Sequence, residues 1–105
     1  MSEPIRYVSQ RQLRDMFNEA ILPDLQAGRL KIVTIADKHP SSNNANEPYC
    51  TRSQFIEIFS QSGQRLAGAH QYLRQDGAIG ASGRPDPKVL IIDGVTYRAL
   101  LPAEV

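Results

Sequence analysis

The chain has 105 residues, of which 41% are hydrophobic, and its 12 basic and 11 acidic side chains leave a formal net charge of +1. This length predicts one domain, residues 1–105, with a modest core. The near balance of charge argues against a surface that recruits nucleic acid or acidic membranes as a whole, so any anion site has to be local. The single cysteine, Cys50, excludes an internal disulfide and favours a reducing, cytoplasmic location. The first residues lack the apolar run of a signal peptide or membrane span.

The first predicted element is an amphipathic helix that begins after Ser9. Ser9 and Gln12 have the spacing of a capping box. Pro23 has no amide hydrogen to donate, so the helix is expected to stop or kink near Leu22, with a short extra turn closed by Gly28. Apolar residues recur three and four positions apart, which predicts one face packed on a core: Leu13, Met16, Phe17, Ala20 and Ile21.

The segment from Leu30 to Ala36 is rich in β-branched residues and predicts a strand. Because both of its faces are largely apolar, we expect it to lie inside the sheet or to be covered on two sides. A long polar loop is expected after it, from Ser41 to Pro48.

Residues 52–60 and 65–74 predict a hairpin closed by the two-residue turn Ser62-Gly63. One face of this hairpin is smooth and apolar, and the helix is expected to pack there. The register places Ile58 opposite Ala67 and Ile56 opposite Ala69 on that face, and Phe59 opposite Leu66, Glu57 opposite Gly68, Phe55 opposite His70 and Ser53 opposite Tyr72 on the other.

That second face is aromatic and carries His70 and Tyr72, which is too much apolar surface to be left bare without a reason. We expect it to be covered by the C-terminal hairpin, buried in a homodimer or used as a binding platform. In these three cases the face contacts another part of the same chain, a second copy of the chain, or a ligand.

The C-terminal hairpin is indicated by Asp93-Gly94 between the apolar runs 89–92 and 95–100, a pattern typical of a type I′ turn. Its register places Leu90 beside Tyr97 and Ile91 beside Thr96. The chain therefore predicts an α+β domain in which one N-terminal helix packs on an antiparallel sheet of about five strands built from two hairpins.

Connectivity brings several polar side chains to one end of this sheet. His39 follows the first strand, Arg52 opens the second, Arg74 ends the third, and the next loop carries Arg84 and Asp86. Arginine forks suit phosphate and carboxylate groups, although the same residues would also brace the loop through salt bridges. The predicted ligand-binding residues are Arg52, Arg74, Arg84, Asp86 and Tyr72.

No stretch of the chain carries a metal, nucleotide or catalytic signature, and no cofactor is expected. His70 and His39 are the candidate catalytic residues, but a histidine in mid-strand is more often a packing residue. The sequence therefore favours a non-enzymatic binding domain that self-associates through its aromatic sheet face. The alternatives are a small metal-independent nuclease or phosphoester-cleaving enzyme, and a binder of a small anionic ligand at the arginine-rich rim. The low net charge argues mildly against nucleic acid.

Overall fold

A computed structural model describes residues 4–38, 51–80 and 83–100. These residues form one mixed sheet of six strands in the order β1-β6-β5-β4-β3-β2, in which β1 runs parallel to β6 and the other neighbours are antiparallel. Neither helix of the described part has the length and apolar character needed to cross a membrane. The elements in chain order are β1 (Ile5–Val8), α1 (Gln10–Ala20), α2 (Leu22–Gln26), β2 (Lys31–Lys38), β3 (Arg52–Phe59), β4 (Arg65–Leu73), β5 (Asp86–Ile92) and β6 (Val95–Ala99).

The architecture confirms the predicted α+β class, but the sheet differs from the predicted one. It has six strands instead of about five, and it is mixed because β1 precedes the helix and pairs with β6. The four residues of β1 are too few to show a periodic pattern, so they did not stand out in the sequence.

The described part of the structure has two helices where the sequence predicts one helix with a short extra turn, and α1 begins and ends at the predicted signals. The Ser9 hydroxyl accepts a hydrogen bond from the Gln12 N–H at 3.1 Å, and the Gln12 side chain accepts one from the Ser9 N–H at 2.9 Å. α1 ends at Ala20, and α2 follows with Pro23 in its first turn. The capping box and the proline therefore fix both ends of α1.

The helices cover one face of the sheet. Leu13 and Phe17 of α1 are fully buried there, in one core cluster with Ala67 and Ala69. The backbone of α1 lies closest to β5 and β6, so the predicted placement of the helix on the first hairpin is only partly correct. The sheet side of this core consists of Ile56, Ile58, Ala67, Ala69 and Leu90.

The predicted register of the first hairpin is correct over most of its length and wrong beside the turn. Phe59 pairs with Arg65, because the loop between Ser60 and Gln64 has three residues instead of two. Leu66 becomes the extra residue of a β-bulge and packs against the core instead of lying on the aromatic face. The pairs that confirm the prediction run from Arg52–Leu73 through Phe55–His70 to Ile58–Ala67.

β2 is an edge strand whose eight residues are all exposed, so the prediction of an inner or doubly covered strand is wrong. Its apolar residues occupy both faces of the strand, and in the described part of the chain no layer buries either face. Two features discourage pairing of this edge with another chain: a bulge between Thr34 and Ala36, and lysines at both ends of the strand, Lys31 and Lys38. The loop predicted at 41–48 lies outside the described residues.

The C-terminal hairpin has the predicted turn and register. Asp93 and Gly94 both have positive φ, at 51° and 79°, as a type I′ turn requires, and Leu90 pairs with Tyr97. However, β5 pairs edge to edge with β4 and extends the sheet. The alternative in which this hairpin covers the aromatic face is therefore wrong. We call the sheet face opposite the helices the open face.

A cationic cleft as candidate functional site

A cleft lies where β4 continues past its neighbour β5. The ladder between them ends at the pair His70–Asp86, while β4 runs on to Leu73. Beyond that pair, β4 is bonded by the turn that follows it, in a bridge between Leu73 and Ile79. The space beside this part of β4 has a volume of about 440 Å³, which is in the range of small-ligand pockets. The side chains that give it its chemistry are Arg14, His70, Tyr72, Arg84, Asp86 and Lys88.

Asp86 of β5 ties that strand to α1 at the wall of the cleft. Its Oδ1 accepts hydrogen bonds from Gln10 and Arg14 of α1, and its Oδ2 accepts one from Lys88, each at 3.1 Å. Gln10 and Arg14 reach the same carboxylate because residues four apart share a helix face. Burial alone would raise the pKa of Asp86, but hydrogen bonds and charge from Lys88 and Arg14 outweigh it and lower that pKa. Asp86 is therefore a carboxylate at neutral pH.

The charge of the cleft is strongly positive for a protein with so little net charge. Among the described residues that line it, three cationic side chains, Arg14, Arg84 and Lys88, accompany one carboxylate, that of Asp86. The lining thus has a formal surplus of two positive charges while His70 is neutral, whereas the whole chain carries +1. Positive charge is concentrated where the surface is concave, which strengthens the local field.

His70 is held in place on the open face beside the cleft. Its Nε2 lies 2.8 Å from the Ser53 hydroxyl, and its ring packs edge-to-face between Phe55 and Tyr72, with centroid distances of 5.1 and 4.7 Å. Burial and then the charge of Lys88 lower the pKa of His70, and the charge of Asp86 opposes them without cancelling them. The ring is therefore neutral at neutral pH and able to exchange hydrogen bonds with a bound group.

The same arrangement bears on the phosphoester-cleaving alternative. A neutral His70 has the protonation state of a general base, and the neighbouring cations would stabilise charge on a phosphate. The second candidate, His39, lies outside the described residues, as does Cys50. Within the described residues, no three His, Cys, Asp or Glu side chains group as a metal site would require. The described part of the cleft thus provides charge, hydrogen bonds and one titratable ring.

The structure brings three of the predicted ligand-binding residues together in the cleft, and the other two are not among its lining residues. Tyr72, Arg84 and Asp86 line the cleft, with the candidate His70. Arg52 lies instead at the start of β3, where its Nη1 is 3.3 Å from the Asp37 Oδ2 of β2. Arg74 follows β4 in a turn, and its N–H donates to the Ala78 carbonyl at 2.8 Å. Ligand binding by any of these residues stays a prediction.

Two lining residues were missed by the sequence reasoning, Arg14 and Lys88. Lys88 was detectable, because residues two apart on a strand share a side and it follows Asp86 by two. Arg14 was not, because its partner lies 72 positions further along the chain.

The chain matches no protein-family model, no curated protein sequence and no solved structure. Its function therefore has to be inferred from the geometry and charge of its own residues.

Proposed function

We propose that this protein is a binding domain that holds a small anionic ligand, bearing a phosphate or carboxylate group, in the cleft beside β4. The observation that supports this most directly is the surplus of cationic side chains in a cleft of ligand size. Arginine and lysine side chains at a concave surface attract and orient such anions.

A different explanation is that the cations only brace the loop of Arg84 and Asp86 through salt bridges. This explains the surplus of positive charge less well. One carboxylate, Asp86, has both Arg14 and Lys88 at 3.1 Å, and it cannot neutralise two cations. The side chains of Arg14 and Lys88 are 57% and 48% exposed, and exposed ion pairs contribute only about 0–1 kcal/mol to stability. An anion placed among them would remove their mutual repulsion. Bracing through Asp86 therefore does not account for both cations.

Calorimetric titration and thermal-shift measurements with inorganic phosphate, pyrophosphate and citrate test the proposal. We expect stabilisation that grows with ligand charge and weakens with added salt. Arg14→Gln and Lys88→Gln should each weaken binding, whereas Arg11→Gln, on the same helix but outside the lining, should not. Absence of binding for all three anions at saturating concentration would contradict the proposal.

Self-association through the open face is the second candidate. It is favoured by apolar side chains left exposed there, among them Tyr7 at 59% and Phe55 at 45%. A sheet face of this kind often meets a partner. Sedimentation velocity over a range of concentrations tests it, with Phe55→Lys as the disrupting variant. A monomer at every concentration would exclude this candidate.

A further inference from the structure

We infer that the anion of the cleft is the phosphate backbone of a single-stranded nucleic acid, whose bases stack on the aromatic side chains of the open face. This inference rests on the proposed function, because the cleft would hold one phosphate of the strand. It extends the binding surface from the cleft to the whole open face, and it names the ligand as a single-stranded nucleic acid.

The first observation is the charge of the open face. Lys31 and Lys38 of β2, Arg65 of β4 and Arg98 of β6 are placed on it by the strand register, together with one carboxylate, Glu57. The cleft, at the boundary between the two faces, adds three cations and one carboxylate, so the open face and the cleft together carry seven cations and two carboxylates. This surplus of five positive charges contrasts with +1 for the chain. A continuous surface with such an excess of positive charge is the electrostatic footprint of a polyanion site.

The second observation is a row of rings that leads away from the cleft. Tyr72 and His70 line the cleft, and Phe55 continues the row on β3 at 5.1 Å from His70. Phe55 is 45% exposed although nearby core positions are fully buried. Aromatic side chains on a sheet beside cations are the combination that stacks the bases of single strands without regard to sequence.

The third observation is a strip of low-lying residues across the middle of the open face, which we call the floor. The register aligns Glu57, Gly68, Val89 and Arg98 in one row across four strands. A Cβ added at Gly68 would lie 2.9 Å from a methyl of Val89 and 3.4 Å from a guanidinium nitrogen of Arg65. Arg65 therefore lies low across the glycine, paired with Glu57 at 3.3 Å. This floor runs between the aromatic row and Arg98.

Charge decides between a nucleic acid and a second copy of the chain. Two open faces in contact would bring their surplus cations together, and like charges across an interface oppose association. A phosphate backbone would neutralise the same cations and release its counterions. A duplex fits less well, because its bases are stacked inside and the described part of the open face presents strands only, with no helix to enter a groove.

The test is fluorescence anisotropy with a labelled oligothymidylate of about 12 nucleotides, inside the range of site sizes known for single-strand binding folds. We expect binding that is roughly 50-fold weaker at about 200 mM than at about 50 mM salt, if about four phosphates are neutralised. Arg65→Gln and Arg98→Gln should each lower the salt slope by about 0.7. Arg11→Gln, on the helical side, should leave it unchanged.

Base stacking on the aromatic row is tested by one substitution in the row and one control substitution outside it. Phe55→Leu keeps an apolar side chain and removes the ring, so we expect roughly 5- to 150-fold weaker binding, the range for one stacked base, at an unchanged salt slope. Ile32→Ala removes a half-exposed apolar residue that pairs with Ile58 on the helix-facing side. It should bind like the wild-type protein.

The outcomes separate this inference from the proposed function. Binding of pyrophosphate without binding of the oligonucleotide overturns the inference and leaves the small-anion site standing. If neither pyrophosphate nor the oligonucleotide binds, both the inference and the proposed function are overturned. The stacked arrangement is overturned if a duplex oligonucleotide binds with equal affinity. It is also overturned if the control variants Arg11→Gln and Ile32→Ala lose as much affinity as the variants of the open face. Light scattering that shows a dimer persisting in saturating oligonucleotide also overturns it, because the second copy would then occupy the face.

Discussion

The two faces of the sheet share the same strands yet are built for different neighbours. On the helix-facing side, aliphatic residues such as Ile58, Ala67 and Leu90 are fully buried in the core that the helices and the sheet share. On the open face, the same strands present Phe55 and His70, which contact each other across strands and remain partly exposed. Packing between layers therefore holds the first face, while cross-strand pairs hold the second. Substitutions on the two faces should therefore lower the free energy of unfolding by different amounts.

The largest effect is expected for Phe17→Ala on the covered side. Phe17 is fully buried between α1 and the sheet, so the substitution leaves a cavity in the core. We expect the free energy of unfolding to fall by about 3–5 kcal/mol. Urea denaturation followed by circular dichroism measures it. A loss below about 1 kcal/mol would mean that α1 is not the cover of this sheet.

Gly68→Ala tests the floor of the open face. The added Cβ would stand 2.9 Å from a methyl group of Val89, whose branched side chain has little freedom to turn away. We expect a loss of about 1–3 kcal/mol in the free energy of unfolding, as for other overpacked sites. The double variant with Val89→Ala should recover part of that loss. Additive losses in this cycle would show that the two residues do not touch.

Phe55→Ala is the open-face counterpart of Phe17→Ala. Phe55 is half-exposed and makes an edge contact with His70, so its removal leaves no closed cavity. We expect a loss of about 1 kcal/mol, mainly from the aromatic contact. The same denaturation measurement applies. A loss as large as that of Phe17→Ala would show that the open face is covered by another layer or copy in solution.

Local patterns were enough to predict most of the covered side. The capping box at Ser9, the spacing of Leu13 and Phe17, and the turn at Asp93-Gly94 each depend on residues close in sequence. Features set by distant parts of the chain were not accessible in this way. The partner of β1 lies 91 positions away, and the exposed position of β2 depends on strand order, not on its own composition.

The candidate site shows the same division between local and distant causes. Tyr72, Arg84 and Asp86 were predicted as ligand-binding residues because the chain passes through one end of the sheet, and they do share a cleft. Arg14 enters from a helix remote in sequence, and nothing near it predicts that contact. Arg52 was grouped with them by connectivity alone, but it pairs with Asp37. Connectivity predicts which end of a strand a residue occupies, and only packing decides its neighbours.

The smallest effect concerns His70 and the pH dependence of stability. Its pKa is lowered from 6.5 in the folded protein, by burial first and then by Lys88, so the unfolded chain takes up the proton first as the pH falls. The stabilising contribution of neutral His70 is therefore complete above 6.5 and is lost as the pH falls below that value. His70→Gln should flatten this part of the curve of unfolding free energy against pH. An unchanged curve would mean that His70 is solvated like a histidine of the unfolded chain.

An anion in the cleft should oppose this pH dependence. A bound phosphate beside His70 favours the protonated ring, which would raise its pKa and offset the effects of burial and Lys88. In saturating sulfate, an oxyanion whose charge stays constant in this pH range, the loss of stability below pH 6.5 should therefore shrink for the wild-type protein and stay unchanged for His70→Gln. Equal shifts in both proteins would place the anion away from His70. The pH curve thus reports where on the boundary between the two faces an anion binds, which affinity alone does not reveal.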